Sequence, residues 1–105
     1  MKKSITASIL LAASFTANAS CFSLVSNVLD EVAGAVSQKA TSSSAISLYV
    51  STCELNRTKA IHKIGSIEDV KKELIKDEKR LNDVEKDVGT VNYIIGVKSF
   101  ATFSK

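Results

Sequence analysis

Not one of the 105 residues is proline, and only four are glycine. Proline breaks a helix by removing an N–H donor and clashing with the preceding turn, and glycine costs about 1 kcal/mol inside one. A chain with none of the first and few of the second is free to run in long helices. The spacing of its apolar residues then says where those helices lie.

From Phe22 to Lys39, apolar residues stand at Phe22, Val25, Val28, Leu29, Val32, Ala33 and Val36. Ser26, Asn27, Asp30, Glu31 and Ser37 lie opposite. Steps of three and four predict an amphipathic helix, weakened at Gly34. Ala40 to Ser44 ("ATSSS") reads as a small polar loop. Beyond it, Ile46, Leu48 and Val50 alternate as a strand would. Over the longer window, Ile46, Val50, Cys53, Arg57, Ala60, Ile61 and Ile64 step at helical spacing, with Gly65 placed as a C-terminal cap. The longer pattern predicts a helix with Cys53 on its buried stripe.

Ser66 to Gly89 is the clearest helical stretch. Ser66 and Asp69 form a capping-box pair, and Gly89 is placed to close the helix. Ile67, Leu74, Leu81 and Val88 repeat every seven residues, with Val70, Asp77 and Val84 completing the heptads. Asp77 is the one acidic misfit: either a solvent-facing gap in the seam or a register and partner selector. The tail carries Tyr93, Phe100 and Phe103. Tyr93, Ile95 and Val97 alternate as a strand, while Tyr93, Ile94, Val97, Phe100 and Ala101 fit a helix face, so the pattern leaves both open.

The fold class expected is mainly α: a small bundle of three helices plus a C-terminal aromatic segment, helix or strand, with one disulfide. The alternative is α+β with strands near 45–52 and 91–103.

The N-terminus has a different character. Met1, Lys2 and Lys3 precede an uncharged run from Ile5 to Phe15, and "TANA" ends on small residues at Ala17 and Ala19. This is the three-part layout of a secretory signal peptide, cut between Ala19 and Ser20. The apolar run of about 11 residues is half the ~20 a membrane-spanning helix needs. Residues 1–19 are thus expected to be removed, leaving residues 20–105 as one small exported domain, periplasmic or secreted. The rival cut, before a lipid-bearing Cys21, has Asn18 where a lipoprotein signal has a leucine-like residue. It would also strand Cys53 as a lone thiol in an oxidising compartment. A Cys21–Cys53 bond is expected instead, closing a loop of about 33 residues and contributing about 3–4 kcal/mol to a domain with a small core.

Chemistry is sparse. The single histidine, His62, lies between Ile61 and Lys63 near a helix end. No serine sits in a G-x-S-x-G elbow, no C-x-x-C pair occurs, and no phosphate-binding glycine loop is present. The carboxylates concentrate between Glu68 and Asp87, interleaved with Lys and Arg as on a solvated helix face. Asn56-Arg57-Thr58 matches a glycosylation sequon. No catalytic, cofactor-binding or metal-binding residue is assigned, and the chain is not expected to be an enzyme. Formal net charge is +3, but two of the positive charges, Lys2 and Lys3, belong to the leader, so nucleic acid is not an expected partner.

Small size, export and the lack of chemistry point to a binding protein. It would act on another envelope or secreted protein as an inhibitor, an immunity or exclusion factor, or an accessory subunit. A membrane-surface role for the 22–39 helix is the alternative, although that helix lacks a Lys/Arg-rich polar face. The expected state is a monomer, with Asp77, Tyr93, Phe100 and Phe103 as the candidate interaction surface.

Overall fold

The computed structural model describes residues 21–76 and 82–104, and among them the chain is helical nearly throughout, with no strand. Helix α1 covers 21–32, α2 Ser43–Ile61, α3 Ile67–Ile75 and α4 Asp83–Phe103. A single 3-10 turn, Gln38–Thr41, lies between α1 and α2. The mainly α fold with one disulfide is therefore correct. The stretches near 45–52 and 91–103 are both helical, so the aromatic tail is the second half of α4.

The stretch expected as one helix from Ser66 to Gly89 belongs to two. Ser66 caps α3 as its sequence indicated: its side chain accepts from the Asp69 N–H at 3.3 Å, and Asp69 Oδ2 accepts from the Ser66 N–H at 3.1 Å. A second box, Asn82 with Glu85, starts α4. Asn82 Oδ1 accepts from the Glu85 N–H at 2.9 Å. Gly89 does not end the helix, because Val91 and Ile95 just beyond it are packed into the core and hold the chain helical through it. Of the heptad residues, Asp77 and Leu81 lie outside the described residues.

The first helix also stops earlier than expected. It ends at Val32, and the Ala35 N–H bonds back to the Val32 carbonyl at 2.8 Å in the turn around Gly34. The connection from there to α2 is held by the other helices. The Ser37 N–H donates to Asp87 Oδ2 of α4 at 3.0 Å, and the Tyr49 hydroxyl of α2 donates to the Ala40 carbonyl at 2.7 Å.

Helices α2 and α4 pack along their length and run in the same direction: Tyr49 lies near Asp87, Asn56 near Gly96, and Ala60 packs with Phe100. Helix α3 returns antiparallel along α4, with Val70 against Phe100 and Leu74 against Gly96. At Gly96 an added Cβ would stand 2.5 Å from Leu74 Cδ1, so the missing side chain is what lets α3 lie down. Two apolar clusters result. Cys21, Val25, Val28, Tyr49, Cys53, Val91 and Ile95 form the larger; Ala60, Val70 and Phe100 form the smaller. On α2 the buried stripe is Ala45, Tyr49, Cys53, Asn56 and Ala60. It ends at Ala60, which leaves Ile61 and Ile64 exposed against expectation. Phe22 is exposed as well, because Cys21 takes the inward position beside it.

Helix α2 ends in a Schellman motif. The Ile64 N–H reaches the Lys59 carbonyl at 2.8 Å and the Lys63 N–H the Ala60 carbonyl at 3.1 Å. The left-handed residue is Lys63, at φ 58°, where glycine is the usual occupant; Gly65 lies at φ 79° two residues on. Lys63→Gly should therefore stabilise the protein by about 0.5–1 kcal/mol, and Gly65→Ala should destabilise it, both read from urea unfolding.

Tyr49 is fully buried, and burial, then the Asp87 carboxylate, pushes its hydroxyl up to about 12 from about 10 in an unfolded chain. The native state holds this proton more tightly, so the stability it contributes is complete below pH ~10 and lost as pH rises through ~12. Tyr49→Phe leaves the Ala40 carbonyl without its donor and should cost about 1 kcal/mol at neutral pH. That deficit should shrink between pH ~10 and ~12 as the wild type loses its own advantage. Urea unfolding of both proteins across this range measures it.

Candidate functional site

The two cysteines meet where the helices place them. Cys21 opens the described part of α1 and Cys53 lies mid-way along α2; both are at 0% exposure, with Cα atoms 5.8 Å apart in a disulfide. Val25 and Val28, one and two turns on from Cys21, are equally buried, so α1 is fixed to α2 by the bond and by its own apolar stripe. The bond occupies the sulfur that a lipid would need, and lipidation of Cys21 is chemically incompatible with it.

The other candidate surface residues are not brought together as one patch. Phe100 is buried at 5% exposure against Ala60 and Val70, so it completes the core. Phe103 is half-buried, with the Arg57 guanidinium 5.9 Å from its ring centroid, a distance at which cation–π attraction operates. Tyr93 is half-buried on α4. Asp77 lies outside the described residues.

Reactive groups are dispersed. His62 is the exposed C-cap of α2. Among the described residues no three His, Cys, Asp or Glu side chains come together as metal ligands would. A shallow pocket of about 160 Å³ opens between the end of α2 and the start of α3, beside Lys59, Ile64, Asp69 and Glu73. Its polar groups are already engaged: Asp69 in the α3 cap, Glu73 with the Lys59 ammonium at 3.3 Å. The sequon residue Asn56 is 3% exposed, and its amide donates to the Thr52 carbonyl at 2.9 Å, which places it out of reach of a glycosyl donor in the folded chain.

What the structure adds is the outer side of α2. A surface helix ordinarily turns charged residues to water. The exposed positions of α2, from Ser43 to Ile61, are occupied by Ser, Thr, Leu and Ile alone. Leu48 and Leu55, one heptad apart on this side, are 44% and 52% exposed. Glu54, Arg57 and Lys59 are drawn to the flanks, where Glu54 and Arg57 pair with each other at 2.8 Å and Lys59 pairs with Glu73 of α3. The signal in the sequence is the serine-rich, charge-free run from Thr41 to Thr52, which apolar spacing alone does not register.

No family model, curated protein or solved structure matches the chain.

Replacing both cysteines, Cys21→Ser with Cys53→Ser, should cost about 2–4 kcal/mol in urea unfolding. The native, unreduced protein should take up no thiol label. Labelling at both positions would show that the bond is not formed.

Proposed function

We propose that this is a small exported binding protein of the periplasm that docks on another envelope or secreted protein, as an inhibitor, an immunity or exclusion factor, or an accessory subunit. The observation that carries this reading is the uncharged solvent face of α2. Leucines a heptad apart among small hydroxyl residues suit close approach by another helix or a flat apolar surface, since no charge has to be desolvated and the serines allow near contact. A partner complementary to it presents a largely uncharged, apolar-centred patch.

Export is supported by the leader pattern of residues 1–19 and by the disulfide, a bond that persists in oxidising compartments. No helix among the described residues is long and apolar enough to cross a membrane. The membrane-surface alternative would use the apolar stripe of 22–39. In the fold that stripe is divided, and Val25 and Val28 within it are packed into the core.

The test is affinity capture from periplasmic extract with residues 20–105, wild type against the double variant Leu48→Lys, Leu55→Lys. Both positions are exposed, so circular dichroism of the variant should match the wild type. Captured proteins that depend on this face should be lost, with affinity reduced about 10–100-fold or more by the two buried charges. A partner retained equally by both proteins would move the binding surface elsewhere.

A further inference from the structure

We propose that the outer face of α2 is covered by a second copy of the chain, the two α2 helices packing end for end about a two-fold axis. This rests on the reading of that face as a docking surface and names an occupant for it. Ser44, Leu48, Ser51, Leu55 and Thr58 are all exposed, Leu48 and Leu55 at 44% and 52%. They follow one another by steps of four, three, four and three. That is the spacing of a coiled-coil seam, narrower than the stripe a helix buries in its own domain. A surface so patterned fits another helix rather than a loop or a strand.

The second observation is which residue type holds which heptad position. Leucine takes one of the two, and a small hydroxyl residue takes the other. Turning one helix end for end over its copy exchanges the two positions. Leu48 then lies opposite Ser51 of the copy and Leu55 opposite Ser44, with the same pairs repeated across the axis. Each leucine enters the space left by a small residue, so the layers fill evenly. Packed in the same direction, leucine would meet leucine and serine would meet serine, one layer crowded and the next hollow.

Charge selects the register. The charged residues of α2, Glu54, Arg57 and Lys59, all lie in its C-terminal half, and Ser43 to Cys53 carries none. End-for-end packing sets each charged half against an uncharged one. With Leu48 opposite Ser51, Glu54 comes beside Ser47 of the copy. A slip of one heptad would bring the two Glu54 carboxylates together at the axis, where they repel. The face is therefore complementary to itself, with no charge to desolvate at its centre. One helix face of about four turns buries roughly 1,000 Å² in total, the low end for a specific contact, so the dimer should dissociate with a constant on the order of 100 μM. The monomer is then the dilute form, and a partner that fits this face better displaces the copy by mass action.

The experiment is sedimentation equilibrium of oxidised residues 20–105 over a concentration series reaching the millimolar range, with the Leu48→Lys, Leu55→Lys variant run beside it. Wild type should pass from one chain to two. The variant, with circular dichroism matching wild type, should stay at one. Orientation is read from the single variants Ser44→Cys and Leu55→Cys, treated with a short bismaleimide. A mixture of the two should give cross-linked dimer, and neither alone should. A wild type that remains one chain at every concentration overturns the proposal, while capture from extract still decides the docking reading. A dimer kept by the lysine variant overturns the assignment to this face. Cross-linking of Ser44→Cys or Leu55→Cys alone overturns the end-for-end packing.

Discussion

The closeness of α2 to α4 is the constraint on which the other contacts depend. The buried residues on these two helices are mostly small: Ala45, Cys53 and Ala60 on α2, Gly96 and Ser99 on α4. Small residues let two backbones approach, but they bury little apolar area each, so the few larger groups have to sit at the centre. Tyr49 and Ile95 do so, both at 0% exposure. Once these two helices are in place, α3 fits over Gly96 and α1 is drawn to the other side of Tyr49 and Cys53. Asn56 and Ser99, the buried polar residues, are satisfied within their own helices, by the Thr52 and the Gly96 carbonyl, while Glu54 Oε2 on α2 and Asn92 Oδ1 on α4 are buried without a hydrogen-bond partner among the described residues.

Much of this was legible in residue spacing. The apolar stripe of α1, the inward position of Cys53, the Ser66–Asp69 cap and the absence of any proline all pointed to paired helices with a covalent staple. The break between α3 and α4 was not, for a specific reason. Ile67, Val70 and Leu74 on one side and Val88 on the other keep the same heptad register across the break, so periodicity continues where the helix does not. The Asn82–Glu85 box was the readable sign of a new start, overshadowed by the Lys- and Glu-rich run before it, whose residues favour helix. Gly89 misled in the opposite sense: glycine weakens a helix by about 1 kcal/mol, and the packing of Val91 and Ile95 outweighs that.

The outer face of α2 is hard to see in the sequence because a helical stripe is recognised by contrast between two sides. Here the contrast is small: the inner side is Ala, Tyr, Cys and Asn, the outer side Ser, Leu and Thr. A helix that is nearly as apolar outside as inside yields an ambiguous stripe, which is also why spacing alone puts Ile61 and Ile64 on the buried side. The same weakness of contrast that blurs the fold is what makes the surface available for contact.

The two self-contained caps have a kinetic consequence. Each of α3 and α4 carries both halves of its own N-terminal box within four residues, Ser66 with Asp69 and Asn82 with Glu85. Neither start depends on a distant partner, and the contacts between the two helices join segments close in sequence. Structure of this kind forms early, since little loop entropy is lost before the contacts reward it. Helix α1 is different: its ion pair from Glu31 reaches Lys98, 67 residues away, and its connection waits on Asp87, 50 residues from Ser37. Two of the contacts that fasten α1 and its connection, Glu31–Lys98 and Ser37–Asp87, thus close only once α4 is in place, at a far larger loop than the caps of α3 and α4 require.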